Sequence, residues 1–254
     1  MFGLHNFRGS CWVNACLQSI FRIPEVQQRY STGTFDSNNV IDKALHTIWK
    51  SSGKAGLRDF FETVKTEAMP AGNGIGDTHE LLNHLCDKLP FLDKLCRFKN
   101  AQVTKCKSCG KSETREDTTI EFTLASNEAN KPITQCIQEV VTPINVEDWK
   151  CEKCKNMGCT RQYLIGSFPR VMAFNVTSNV GTIGYSPILV LNSKKYALVS
   201  IACYNGSHWW TFGRNIPPGS SWYKFDDEHI QDFGPKQFPL SSSMRVLIYY
   251  RLEE

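Results

Sequence analysis

Cys11 lies in the stretch GSCWVNACLQSIF, where Val13, Leu17, Ile20 and Phe21 recur at helical spacing. The cysteine therefore falls in the first turn of a helix, behind Ser10, a residue type that caps helix starts. Free backbone N–H groups and the positive end of the helix dipole stabilise a thiolate there, and the thiolate is the form that attacks. The same N–H groups can hold a developing oxyanion, and Asn6, five residues upstream, can add a side-chain amide. Position alone leaves an alternative open, since cysteine is also a common small core residue.

A cysteine nucleophile needs a base, and the base needs an orienting partner. Of the histidines at 5, 46, 79, 84, 208 and 229, His208 has the best setting. It opens the strand-like run HWWTF, and the turn-forming loop GRNIPPGSS leads to a second run, WYKFDD. Paired as a hairpin with its tip at residue 217, these runs place Asp226 opposite His208, where a carboxylate fixes one imidazole tautomer. Asp227 is the other candidate, but side-chain alternation puts it on the opposite face. Without Cys11, the pair would read as a strand-edge histidine and an acidic turn.

Two CxxC pairs, Cys106/Cys109 in KCKSCGK and Cys151/Cys154 in WKCEKCK, suit a tetrahedral all-cysteine zinc site. The 41 residues between them contain strand-like sequence, so the metal is expected to clip two hairpin tips together. Four ligands leave no open position for water, so the zinc would be structural. Cys159 is a spare that could replace a ligand. Asp77 and Glu80 in GDTHELL match a helix cap with a reciprocal glutamate three residues on. The same acidic pair could meet basic residues on a partner.

The elements that must position these groups form an α+β layout. Residues 11–94 read as mainly helical, with helices from Cys11, over about 40–50, over about 57–67, and from Asp77, and with Pro24 just past the end of the first. Strand-like runs follow at Thr118–Leu124, Tyr163–Gly166, Arg170–Val176, Tyr196–Cys203, Trp209–Phe212, Trp222–Phe225 and Met244–Tyr250. With 254 residues, 41% hydrophobic and 21% charged, the chain has a globular profile. A net charge of +4 without a basic run does not suggest nucleic-acid binding, and no apolar stretch reaches membrane-spanning length. The eleven cysteines, an odd number with two CxxC pairs and no secretory signal, fit a reducing compartment, cytoplasm or nucleus.

Taken together, these segments resemble the ubiquitin-specific protease family. GLHNFRGSCWVNACLQ resembles its cysteine box (roughly GLxNxGxTCYMNAxLQ), and GDTHEL resembles its QDAHEF helix box. The paired CxxC motifs, SFPRVMAFNV, YALVSIACYNGSHWWTFGR, SSWYKFDDEHI and RVLIYYRL follow in the family's order. The resemblance implies a papain-like right hand: a helical thumb (1–97), zinc-bearing fingers (98–166) and a β palm (167–254). It also implies that Cys11 is the nucleophile, His208 the base, Asp226 its orienter and Asn6 an oxyanion donor. Asp77 and Glu80 would face arginines of a modifier's C-terminal tail, and Gly206, Ser207 and Trp209 would line the tail channel. Departures fall around that channel: Arg8 and Ser207 stand where the family usually has glycine, Trp12 and Trp209 replace tyrosines, and Leu81 replaces phenylalanine.

The expected activity is a monomeric thiol isopeptidase that cuts after the terminal glycine of ubiquitin or a ubiquitin-like modifier. SUMO is an alternative substrate. A modifier-binding pseudoenzyme and a zinc-ribbon interaction module are the alternatives in function.

Overall fold

The structure is a computed structural model, and it describes residues 1–68, 75–126, 128–178, 183–216 and 220–252. Its helices are α1 (Cys11–Ile20), α2 (Pro24–Thr32), α3 (Val40–Lys50), α4 (Leu57–Ala68), α5 (Thr78–Lys88), α6 (Pro90–Cys96) and α7 (Ile133–Val141). The strands up to the end of α7 are β1 (Phe98–Cys106), β2 (Ser112–Thr119), β3 (Glu121–Ser126) and β4 (Lys131–Pro132). Then come β5 (Ile144–Lys150), β6 (Met157–Ile165), β7 (Val171–Ser178), β8 (Ile183–Gly184) and β9 (Ile188–Leu191). The last five are β10 (Lys194–Tyr204), β11 (Trp209–Gly213), β12 (Trp222–Asp226), β13 (His229–Gly234) and β14 (Met244–Arg251). None of the described helices is long and apolar enough to cross a membrane.

Helix α1 is buried along all ten residues. A helix apolar on every side must be covered on every side. Here α5 packs on it from one direction and β10, β11 and β12 from the other. Trp12, Val13, Leu17 and Ile20 are at most 1% exposed, and each such burial stabilises by about 1.5–3 kcal/mol. Polar groups on this helix are consumed by the sheet: Thr211 Oγ1 donates to the Ala15 carbonyl at 3.0 Å, and Ser200 Oγ donates to Ser19 Oγ at 2.7 Å. The nucleophile candidate thus sits on the one described helix that is buried at every residue.

The main sheet has the order β13-β12-β11-β10-β14-β7-β3, with β9 added on β10. Its pairs are antiparallel except β3 with β7. Both faces are covered. Val246, Ile248 and Tyr250 of β14 face the helices, while Leu247 and Tyr249 join a second core with α7, Phe122 and Phe174. Strands buried on both sides read as continuous apolar runs, as VLIYY does. A smaller antiparallel sheet, β2-β1-β6-β5, projects from this body. The segment 98–166 is not all part of it, because β3 and α7 belong to the main sheet and its second core.

Three helices depart from the sequence expectation. Pro24 does not merely follow a helix; it is the first residue of α2, which closes on Gly33 in the left-handed region (φ 75). Pro90 starts α6 in the same way. The third, α7, lies between strands and was not anticipated. The expected run Thr118–Leu124 is split at Ile120, where the chain leaves one sheet for the other.

Candidate active site

Cys11 is the first residue of α1 and is 2% exposed. Ser10 precedes it, but its side chain does not cap the helix. Instead Ser10 Oγ accepts from the Phe7 N–H at 2.9 Å, closing the loop in front of the cysteine. Asn6 organises that loop: its Oδ1 accepts from the N–H groups of Gly9 (3.0 Å) and Ser10 (3.2 Å). Arg8 at the loop's tip and Gly9 both have positive φ, 49° and 103°.

The helix start does act on the Cys11 sulfur. Backbone N–H groups of Trp209, Trp12 and Cys11 itself all favour the thiolate. They do not win. Burial, the largest effect, and the charge of Asp227 together raise the thiol above its ordinary value. The helix start thus favours the thiolate as expected, but burial and Asp227 outweigh it and shift Cys11 toward its protonated form. Trp209, whose N–H meets the sulfur, directly follows His208 in the chain.

His208 Nε2 lies 2.7 Å from Asp226 Oδ1. The hairpin register is not the one expected. Thr211 pairs with Phe225 and Gly213 with Tyr223, so continuing the ladder puts Trp210 opposite Asp226. His208 then lies one step diagonally away on the same face, still within side-chain reach. The expected tip at residue 217 lies outside the described residues. Before His208, Asn205 Oδ1 accepts from the N–H groups of Ser207 (3.1 Å) and His208 (2.9 Å), an Asx turn that also uses Gly206 at φ 100°. Tyr204 stacks on Trp209 at 4.8 Å and donates to the Gly206 carbonyl at 2.6 Å. Gly206, Ser207 and Trp209 are thus three parts of one turn that delivers the histidine.

Asp227 overturns the alternation argument. Its φ is 54°, so the chain turns over after Asp226 and the second carboxylate comes to the same side. Asp227 Oδ2 lies 3.9 Å from His208 Nε2. It accepts from Asn6 Nδ2 at 2.8 Å, and Asp227 Oδ1 accepts from Asn14 Nδ2 at 2.7 Å. The Leu4 N–H donates to the Asp227 carbonyl at 2.9 Å, tying the N-terminal segment to the same turn. An amide nitrogen carries two hydrogens, so the bond to Asp227 leaves Asn6 one more to donate. Asn14 and Asp227 were not anticipated in this role; the NA of the cysteine segment and the doubled aspartate were the only local signs.

Asp77 caps α5, accepting from the His79 N–H at 2.7 Å. Glu80 is exposed, and among the described residues it makes no reciprocal bond to the cap. Instead His79 joins two acids: Nε2 is 2.6 Å from Glu121 Oε1 and Nδ1 is 3.6 Å from Asp77 Oδ1. Burial, the largest effect, disfavours the imidazolium, but the two acids outweigh it and push His79 up to about 10. Because the folded value lies above the ordinary 6.5, this stabilisation is complete below about pH 6.5 and is lost as pH rises through about 10. Urea denaturation at pH 6, 8 and 10 should show wild type losing more stability over that window than His79→Gln. Equal losses would contradict the linkage.

The four CxxC sulfurs converge. Cys106 and Cys154 Sγ are 3.7 Å apart, as are Cys109 and Cys151 Sγ, and all four lie within 4.8 Å of one another. Tetrahedral zinc at about 2.3 Å per thiolate requires sulfurs about 3.8 Å apart, so the cluster fits a metal ion. The two pairs occupy the turns β1–β2 and β5–β6, with Gly110 and Lys155 in equivalent left-handed positions (φ 71° and 62°). Cys159 is buried on β6 opposite Cys106 and is not one of the converging four. None of the eleven cysteines is in a disulfide.

A cysteine at the head of a central helix and a histidine–aspartate pair on the adjoining sheet are the elements a papain-like cysteine hydrolase requires. The chain belongs to the ubiquitin carboxyl-terminal hydrolase family, a family of cysteine-type deubiquitinating enzymes whose model matches residues 2–249. It is 26% identical over 204 residues to ubiquitin carboxyl-terminal hydrolase 47 of Drosophila melanogaster, covering 68% of this chain but only 13% of that relative. Its fold is similar to a chain of the SAGA DUB module of Ubp8, Sgf11, Sus1 and Sgf73 bound to monoubiquitin, with TM-score 0.82 and 16% identity. That match covers 100% of this chain and 69% of the other. The module bound to ubiquitin aldehyde gives 0.79 at 14% identity, covering 100% and 70%.

Proposed function

We propose that the protein is a thiol isopeptidase acting on ubiquitin or a ubiquitin-like modifier joined to a lysine. The observation that carries this reading is that the Cys11 sulfur meets the Trp209 N–H and the Asp227 charge, while Asp227 and Asp226 both lie beside His208, in a chain of this family. The neutral Cys11 thiol gives its proton to His208 as the sulfur attacks the carbonyl carbon of the modifier's terminal glycine. The oxyanion is met by α1 N–H groups and the free hydrogen of Asn6 Nδ2. The carbon–nitrogen bond breaks, and the proton on His208 passes to the departing lysine amine. Water then gives a proton to His208 as its oxygen attacks the thioester carbonyl; the carbon–sulfur bond breaks, His208 passes that proton to the Cys11 sulfur, and the released acid ionises to the modifier's carboxylate. Asp226 keeps the imidazole oriented throughout.

Asp77, 46% exposed at its side chain, and Glu80 offer negative charge to a basic modifier tail, and the 204–209 turn offers its channel wall. A structural zinc ion held by Cys106, Cys109, Cys151 and Cys154 would cross-link two hairpin turns and take no part in a bond-making step. In this reading the chain works as a monomer in the cytoplasm or nucleus, without nucleic acid, in keeping with eleven cysteines outside any disulfide and a net charge of +4.

Asp227→Asn should separate two effects. Losing the charge removes one cause of the raised Cys11 thiol, so Cys11 should titrate at lower pH. Exchanging one carboxylate oxygen for an NH2 leaves either Asn6 or Asn14 facing a donor instead of an acceptor, which should lower kcat/KM by about 10²-fold. Alkylation against pH together with steady-state kinetics checks both. The function itself is tested by incubating lysine-linked ubiquitin, SUMO and other modifier conjugates with the protein. Release of free modifier supports the reading; no cleavage of any of them overturns it.

A further inference from the structure

The other end of the Asp226 carboxylate is also occupied. Lys224 Nζ donates to Asp226 Oδ2 at 2.7 Å, while Oδ1 faces His208 at the same distance. The two residues are two apart on β12 and so share one face. Trp210 completes the arrangement: the Lys224 ammonium sits 5.5 Å from its ring, and the His208 ring stacks over it at 6.4 Å and 19°. Lysine, aspartate and histidine thus form a row over one indole, each carboxylate oxygen having its own partner.

We propose that Lys224 is a positioning residue that fixes the rotation of the Asp226 carboxylate and draws part of its charge away from His208, so that the Cys11–His208 pair works at lower pH than it otherwise would. The inference rests on the proposed reading of Cys11, His208 and Asp226 as one unit. A cation next to an imidazole–thiol pair disfavours each protonated form of that pair. Removing the lysine should therefore move the pH profile of Cys11 reactivity upward.

Other charges near the row do not replace Lys224. Asp227 is an anion, bound to Asn6 and Asn14. On β13, His229 pairs in register with Asp226, and Gln231, which is uncharged, pairs with Lys224. Arg245 of β14 and Lys224 both act on the buried Cys203 of β10. His5 and Glu228 pair with each other at 3.1 Å. Lys224 and Asp226 side chains are 29% and 33% exposed, so the effect is partly screened and should weaken in salt.

The test is the rate of Cys11 alkylation by iodoacetamide against pH, followed by peptide mapping, for wild type, K224M, K224Q and K224R. Expected for K224M and K224Q is a profile displaced upward by about half a pH unit at low ionic strength. The displacement should shrink at about 1 M salt, and K224R should stay within about 0.2 unit of wild type. A structural ion pair alone would lower kcat/KM without moving the profile. Superposed profiles, or a downward displacement, overturn the inference. This readout needs no modifier. Displaced profiles in a protein that cleaves no conjugate would sustain the role of Lys224 and refute the proposed function.

Discussion

Cys11→Ala is expected to lower isopeptide cleavage by about 10⁴-fold or more, the scale seen when a catalytic nucleophile is removed. The fold should survive. Alanine leaves the backbone of α1 intact, and the helix is held by Trp12, Val13, Leu17 and Ile20 and by bonds from Thr211 and Ser200, none of which involves the thiol. The raised thiol gives no stabilising charge at neutral pH, so its removal costs only packing. Melting temperature should stay within a few degrees of wild type. Turnover falling without unfolding separates a nucleophile from a core cysteine. Retained turnover would make Cys11 the small hydrophobe its burial suggests. His208→Ala should cost nearly as much, and the double variant little more, because the two act as one unit.

The second large effect is expected when the four-cysteine cluster is deprived of the zinc proposed for it. The four-stranded sheet has little core of its own. Strand β2 reads SETREDTT and is exposed along nearly its whole length, and β5 is almost as open. From this sheet only Phe98 enters a buried apolar cluster, with Tyr163 and Ile165 partly buried against it. A two-sided polar sheet of this size cannot offset its conformational entropy by burial. Structural zinc contributes about 10–16 kcal/mol in small metal-dependent domains. Chelation, or Cys109→Ser, should therefore abolish hydrogen-exchange protection in 98–119 and 144–165. Protection in α1, β10 and β11 should remain, since they sit in the main core. Elemental analysis should find one zinc per chain. Unchanged protection after chelation would contradict the assignment.

What the sequence disclosed and what it hid divide along a physical line. Metal ligands must come from tight turns at fixed spacing, so the two CxxC pairs were legible at once. Cys11 was legible because a helix start is a local pattern. His208 and Asp226 were found through hairpin logic, but with a register two residues off, because register depends on turn conformation. Asp227 was placed on the wrong face because alternation fails at φ 54°, a conformation set by the turn into β13 and the contact with Leu4. The His79–Glu121 pair joins residues 42 apart on two different elements, which no local pattern records. The strands β2 and β5 escaped notice because, exposed on both faces, they carry no hydrophobic alternation, and β1 because it buries only Phe98, Thr104 and Cys106. Prolines 24 and 90 were ambiguous in principle, since proline both follows helices and begins them.

The central claim is that Cys11 attacks the carbonyl at the end of a ubiquitin-like tail. Its most direct test is incubation with ubiquitin carrying a C-terminal electrophile, followed by mass spectrometry. The account predicts one adduct per chain, on Cys11 alone among eleven cysteines, and none in Cys11→Ala. A folded, zinc-loaded protein that leaves Cys11 unmodified by ubiquitin and by every ubiquitin-like probe would contradict it.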